Sequence, residues 1–275
     1  MTSPADAPSV ALVVPCYNEA RRLDVAAFAR ALDASPALRL LFVDDGSTDD
    51  TRAVLDAMAS AHADRVAVLA LPRNGGKAGA VWSGLRHVLA ESPATRAAYV
   101  GYWDADLSTP LAALPELVAV LRARAACHAV LGSRVRLLGR RIARRLARHY
   151  LGRVWATAAS VVLGMPVYDT QCGAKLFRVA GPLTAALEAP FLSRWAFDVE
   201  LLARLHAATA GQDVDESFVE HPLAEWRDVA GSKLTMGAAL RSGLDLARIA
   251  WRVRRGARRA VSPVVDRPPA PTGPR

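Results

Sequence analysis

A chain of 275 residues, 52% of them hydrophobic, is long enough to bury one large core, and its length argues for a single domain. Its formal net charge of +9 leaves nucleic acid, anionic membranes and anionic substrates open as partners. Three scattered cysteines, Cys16, Cys127 and Cys172, lack metal-ligand spacing and read as small buried hydrophobes in a reducing compartment.

Residues 1–9 read as a flexible N-terminus without the basic and apolar regions of a signal peptide. Val10–Val14 is a short apolar run that leads into Pro15-Cys-Tyr-Asn-Glu19, and Arg21–Leu32 then shows helical periodicity. Leu40–Val43 follows and ends in Asp44-Asp-Gly-Ser47. Strand, helix and strand at this spacing form a βαβ unit, whose strands run parallel. The glycine cluster Asn74-Gly-Gly-Lys-Ala-Gly79 precedes a helix over Ala78–Leu89, and the apolar run Ala98–Trp103 ends in Asp104-Ala-Asp106. Ligands of open α/β sheets bind outside the carboxyl ends of the strands. Pro15–Glu19, Asp44–Ser47 and Asp104–Asp106 therefore converge on one crevice.

Two carboxylates one residue apart on extended backbone point the same way. Asp104 and Asp106 can thus hold a hard divalent cation through oxygen, with positions left for water and phosphate oxygens. Mg²⁺ or Mn²⁺ on a nucleotide diphosphate suits this arrangement.

Ten arginines and no acid lie between Leu117 and Tyr168, and seven arginines and one acid between Arg241 and Arg259. The remainder of the chain is acidic, so the charge is polarised. The aromatic interleaving of a nucleic-acid stacking platform is missing; an anionic membrane surface with an anionic lipid substrate fits better. Arg141, Arg144, Arg145 and Arg148 are spaced as one stripe of a helix, with Leu138, Ile142, Leu146 and Tyr150 on another. In a second basic segment, 241–260, Leu240, Leu244, Ala247 and Trp251 form an apolar stripe. That helix either lies in the headgroup layer or packs on its own domain. The longest apolar run, Val154–Val167, is interrupted by Gly164 and Pro166 and is too short to span a bilayer. Residues 261–275 read as a disordered proline-rich tail.

The motifs Pro15–Glu19, Asp44–Ser47, Asn74–Gly79, Asp104–Asp106, Gly132-Ser-Arg134, Asp169-Thr-Gln-Cys-Gly173 and Arg194-Trp-Ala-Phe-Asp-Val-Glu-Leu201 occur in this order. In this order they resemble the inverting family-2 glycosyltransferases. The last two, with Gly231-Ser-Lys233, most resemble the dolichyl-phosphate β-glucosyltransferases and their bacterial polyprenyl-phosphate relatives. The resemblance implies a GT-A (Rossmann-like) α/β domain over 10–240 with a mostly parallel central sheet flanked by helices. It places Pro15, Tyr17 and Glu19 at the base and ribose. Asp45 would accept from a uracil imide while Asp44 fixes its loop. Lys77 would neutralise phosphate, Asp104 would contact ribose or a water-bridged metal, and Asp106 would ligate Mg²⁺ or Mn²⁺ directly.

Arg134, Arg144 and Arg148 would hold the acceptor phosphate. Asp169 would bind sugar hydroxyls or orient an arginine, and Trp195, Asp198 and Glu200 would meet the sugar. The catalytic set is then Asp106, Asp169, Asp198 and Arg134. The implied reaction moves a hexose, glucose favoured, from a nucleotide sugar, UDP-glucose favoured, to polyprenyl or dolichyl phosphate with inversion. It would run at the cytoplasmic face of the membrane. A phosphate monoester has a second pKa of about 6 and attacks without losing a proton. The alternative is a glycan or soluble hydroxyl acceptor, which needs a base, and Asp198 or Glu200 would supply it.

Overall fold

The computed structural model describes residues 9–93, 95–143, 146–228 and 243–252, with backbone alone over 146–151. β1 (Val10–Cys16), α1 (Val25–Ala34), β2 (Leu38–Asp44), α2 (Thr51–Ala61) and β3 (Val66–Ala70) open the chain. α3 (Gly76–Leu89), β4 (Tyr99–Trp103), α4 (Leu114–Ala123) and β5 (Ala129–Ser133) follow. Then come β6 (Arg141–Ala143), α5 (Leu146–Leu163), β7 (Ala174–Arg178), α6 (Gly181–Ala186) and α7 (Phe197–Ala208). α8 (Val214–Ser217), β8 (Phe218–Pro222) and β9 (Glu225–Arg227) precede a last described helix, α9, over 243–252. α1 starts later than the periodicity predicts because Asp24 caps it, its carboxylate accepting from the Ala27 amide at 2.9 Å.

Seven strands make one sheet in the order β3-β2-β1-β4-β7-β5-β8. The β1–β2, β2–β3, β1–β4 and β5–β8 pairs are parallel, and β7 runs antiparallel to both neighbours. The sheet is mostly parallel, with one reversed strand. β1 lies inside it and is covered on both faces, hence its unbroken apolar run. Val10, Leu12 and Val14 face Phe28, Leu32, Leu55 and Leu117. Ala11 and Val13 face Ala80, Val81 and Leu85 of α3. Gly84 lets α3 approach closely, since a Cβ there would meet Val13 Cγ1 at 2.4 Å.

The structure corrects the expected arginine helix. Arg141 and Ile142 lie in β6, which pairs with β9 in a separate two-stranded parallel sheet. Ile142 is opposite Trp226, and both are buried. Gly139 has φ +79°, a left-handed turn that ends any helix before the strand, and Leu138 is fully exposed. The helix starts instead at Leu146. Arg144 lies outside the described residues, as does the side chain of Arg148; so do Arg145, 229–242 and 253–275.

In α9 the buried positions are Leu246 and Ile249, which join the core, whereas Leu244 and Trp251 are exposed. This helix packs on its own domain through a stripe other than the expected one. Among the described residues no helix is long and apolar enough to cross a membrane.

Candidate active site

Because β1, β2 and β4 are parallel, their carboxyl ends open on one edge of the sheet. There a cleft of about 220 Å³ is lined by Pro15, Tyr17, Glu19, Asp45, Lys77, Asp104 and Asp106. The seven residues assigned to the donor half by sequence are thus brought together. The loops are tied to each other. Asn18, at φ +53°, accepts from the Thr48 amide at 2.9 Å and donates its own amide to Ser47 Oγ at 3.1 Å. Asp44 accepts from the Ser47 amide at 3.0 Å.

Asp45 does more than line the cleft. Its two oxygens accept from the amides of Gly75 and Gly76, each at 2.7 Å, so it anchors the glycine loop at the start of α3. One acceptor position on each oxygen is left over. Gly76 has φ +79°, and a Cβ there would lie 2.7 Å from Arg194 Nε. Arg194 also donates to Asn74 Oδ1 at 2.8 Å, clasping the glycine loop from the segment before α7. Sequence reading gave Arg194 no role; its place beside Trp195 in the late motif was the available signal.

Glu19 pairs with Arg22 at 2.7 Å through Oε1, while Oε2 is buried without a partner. Burial pushes its carboxyl above the usual range; Arg22 opposes this, and Asp106 and Asp49 add to it. Such an orphaned acceptor fits a ligand hydroxyl or N–H. Asp104 donates its amide to the Gly173 carbonyl at 3.0 Å and pairs with Lys77 at 2.5 Å. Burial would lower the Lys77 pKa, but Asp104, with Asp198 and Asp106, holds it above its ordinary value. Asp106 accepts one hydrogen bond, from the Ser108 amide at 2.9 Å. Leu107, which follows Asp106, sits at φ +50° and donates its amide to the Asp104 carbonyl at 3.1 Å, so the two carboxylates are held by a tight turn and not by extended strand. Among the described residues no group of three His, Cys, Asp or Glu side chains encloses a metal site.

The other half of the site is built from ion pairs. Arg134 donates to Asp169 through Nε at 2.6 Å, Nη2 at 2.7 Å and its backbone amide at 3.0 Å. Burial would raise the Asp169 pKa, but Arg134 holds it below the usual carboxylate range. Glu220 accepts from the amides of Tyr168 and Asp169, each at 2.7 Å, and so fixes the loop that carries the pair. Of the two roles open to Asp169, the geometry shows the orienting one. Nε and one Nη2 hydrogen of Arg134 are thus engaged by Asp169, which leaves three of its five guanidinium N–H donors outside this pair.

Asp198 is buried, accepting from Lys175 Nζ at 2.6 Å and from the Tyr102 hydroxyl. Glu200 accepts from the Leu192 amide at 2.8 Å and from Arg204 at 2.5 Å. Both carboxylates lie in the first turn of α7, and their oxygens face internal cations. In this arrangement Asp198 is paired with Lys175 and Glu200 with Arg204. Trp195 does remain open, 42% exposed, with its ring edge-on to Trp155 at 5.9 Å. Lys175, Tyr102 and Glu220 went unread in the sequence; a lysine inside the apolar strand Ala174-Lys-Leu-Phe177 was the one visible sign.

The profile of glycosyl transferase family 2 matches residues 11–180, and the chain belongs to that family. It is a glycosyltransferase with the GT-A architecture. The dolichyl-phosphate beta-glucosyltransferase of Drosophila melanogaster is 33% identical, over 90% of this chain and 79% of that protein. Its Homo sapiens counterpart is 31% identical, over 90% and 76%. Among solved structures, glucosyl-3-phosphoglycerate synthase from Mycobacterium tuberculosis with phosphoglyceric acid has TM-score 0.60 and 19% identity, covering 92% of this chain and 81% of that one. The same enzyme with Mn²⁺ and UDP-glucose has TM-score 0.58 and 19% identity, covering 92% and 79%.

These complexes correct the expected partners. The molecule bound with UDP-glucose and Mn²⁺ on this fold is phosphoglyceric acid, a small water-soluble acid and not polyprenyl phosphate.

Proposed function

We propose that this glycosyltransferase moves a hexose, glucose favoured, from a UDP-sugar to a hydroxyl of a soluble acceptor. The observation that carries the reading is the cleft at the ends of β1, β2 and β4. There the buried, unpartnered Glu19 oxygen, Lys77 and the Asp104/Asp106 carboxylates face one space. Glu19 Oε2 receives a ribose hydroxyl or a base N–H, and Tyr17, 44% exposed, offers a ring to stack on. Lys77 stands beside the diphosphate. Trp195 presents a flat face to a sugar on the acceptor side.

The residues present fit a divalent cation. Asp106 keeps all but one of its acceptor positions, and Asp104 lies a turn away; both offer the hard oxygen that Mg²⁺ and Mn²⁺ take. When bound, such a cation supplies Lewis-acid neutralisation of the departing diphosphate. Mn²⁺ and UDP-glucose occur together in the similar fold above, and relatives at about a third identity are named glucosyltransferases.

The test is incubation of the full chain with labelled UDP-glucose and Mn²⁺. Separate arms contain phosphoglyceric acid, a panel of free sugars and polyprenyl phosphate, and each is partitioned between water and butanol. Label in a new water-soluble product is expected. Label that enters butanol only with polyprenyl phosphate overturns the proposed acceptor.

A further inference from the structure

Beneath the cleft lies a buried charge to which none of these roles has been given. Lys175 is the second residue of β7 and is wholly buried. Its ammonium donates to Asp198 Oδ1 and to the Cys172 carbonyl, each at 2.6 Å. Tyr102 of β4 donates to the same Asp198 oxygen, and Lys175 Nζ is 5.1 Å from the Tyr102 ring centre. Removing an ammonium and a carboxylate from water is costly, and an apolar pair of similar volume is often at least as stable. The pair's worth therefore lies in the geometry it fixes.

That geometry leads to the donor site. The carbonyl that Lys175 holds belongs to Cys172. The next carbonyl, of Gly173, receives the Asp104 amide at 3.0 Å. The Asp104 carboxylate occupies the space above Gly173, where a Cβ would fall 1.9 Å from its Oδ2. The height of the 172–173 backbone thus decides where Asp104 can stand. Two elements hold that backbone through one ammonium: α7 through Asp198, and β4 through Tyr102 on the same oxygen.

We infer that Lys175, braced by Asp198, is a positioning residue that sets Asp104 for the donor and its cation. The inference rests on the proposed reading of Asp104 and Asp106 as the cation's carboxylates. Lys175 touches no substrate in this role. It acts through the Cys172–Gly173 backbone, as outer groups commonly orient the ligands of a metal.

Lys175→Met alone would strand the Asp198 charge and can unfold the chain. The variant to make is Lys175→Met with Asp198→Asn, which removes both charges and keeps an acceptor for Tyr102. In the full chain, amide hydrogen exchange at Asp104 should quicken by about tenfold or more, while the β1 amides keep their protection. Mn²⁺ binding, titrated with UDP present, should weaken by about ten- to a hundredfold. An Asp104 amide exchanging at the wild-type rate overturns the inference. So does equal acceleration throughout β1, which would make the pair a general stabiliser. Wild-type protein that takes up no Mn²⁺ would sink the metal reading instead, and the exchange comparison would still decide the role of Lys175.

Discussion

The two halves of the site are built in different ways. On the donor side, β1, β2 and β4 run parallel, and each delivers one short motif to the same edge. On the other side, the antiparallel β7 brings together residues that are distant along the chain. Asp198 meets Lys175 across 23 residues, and Asp169 meets Arg134 across 35. In the donor half Asp106 is lightly engaged, accepting from a single amide. The other half closes its carboxylates in ion pairs. An acid in a motif thus keeps open acceptor positions at Asp106 on one side of the cleft and is closed into an ion pair on the other.

Breaking the donor half should have the largest effect. Asp106→Asn offers a neutral amide where a hard cation needs a carboxylate, so turnover should fall below detection, as it should for wild type in excess EDTA. Full activity of either would remove the cation from the reaction. Gly173→Ala comes next. Its methyl would overlap the Asp104 carboxylate, so activity and Mn²⁺ affinity should both drop by about tenfold or more, while far-UV circular dichroism stays native.

Arg134→Lys sharpens the contrast, because its main effect should fall on stability. It loses the bidentate fork on Asp169, at a cost of about 1.5–3 kcal/mol, to be read from urea unfolding; unchanged stability with lost acceptor affinity would return Arg134 to a binding role. The same pair has a pH signature. The folded Asp169 pKa is depressed by Arg134, so the pair's stabilisation is complete above the unfolded carboxylate value of about 3.9 and is lost as pH falls through the lower folded value. The Arg134→Lys variant should therefore lose less stability than wild type between neutral pH and that acidic range. The smallest effect is expected for Trp195→Ala, a rise of a few-fold in acceptor KM with kcat nearly kept. A change in kcat alone would place the ring nearer the reaction.

Sequence reading reached the donor half because a parallel α/β unit repeats a simple plan, in which an apolar run ends at a loop on the ligand edge. Pro15–Glu19, Asp44–Ser47 and Asp104–Asp106 could be placed from that plan with no knowledge of contacts. The same reading failed around residues 138–148, where arginines at helical spacing lie partly in β6. What decides there is the pairing of Ile142 with Trp226 across the second sheet, a long-range contact that local periodicity cannot carry. Asp198 and Glu200 were visible as acids at a helix start, but their partners Lys175 and Arg204 set their use. For α9, amphipathicity was legible and its direction was not, since both stripes carry apolar residues.

The strand order also has a consequence for how the chain reaches this state. β1, β2 and β3 are neighbours in sequence and in the sheet, so their pairing needs only short loop closures. β4 must instead accept β7, with Tyr99 opposite Arg178, before the right-hand half has a strand to build on. Long-range pairing of this kind slows folding because chain entropy is lost before contacts reward it. Pulse-labelled refolding should therefore protect amides of β1 and β2 earlier than those of β7. If so, the cleft's nucleotide side takes shape on an early scaffold, and the braces of the opposite side lock last.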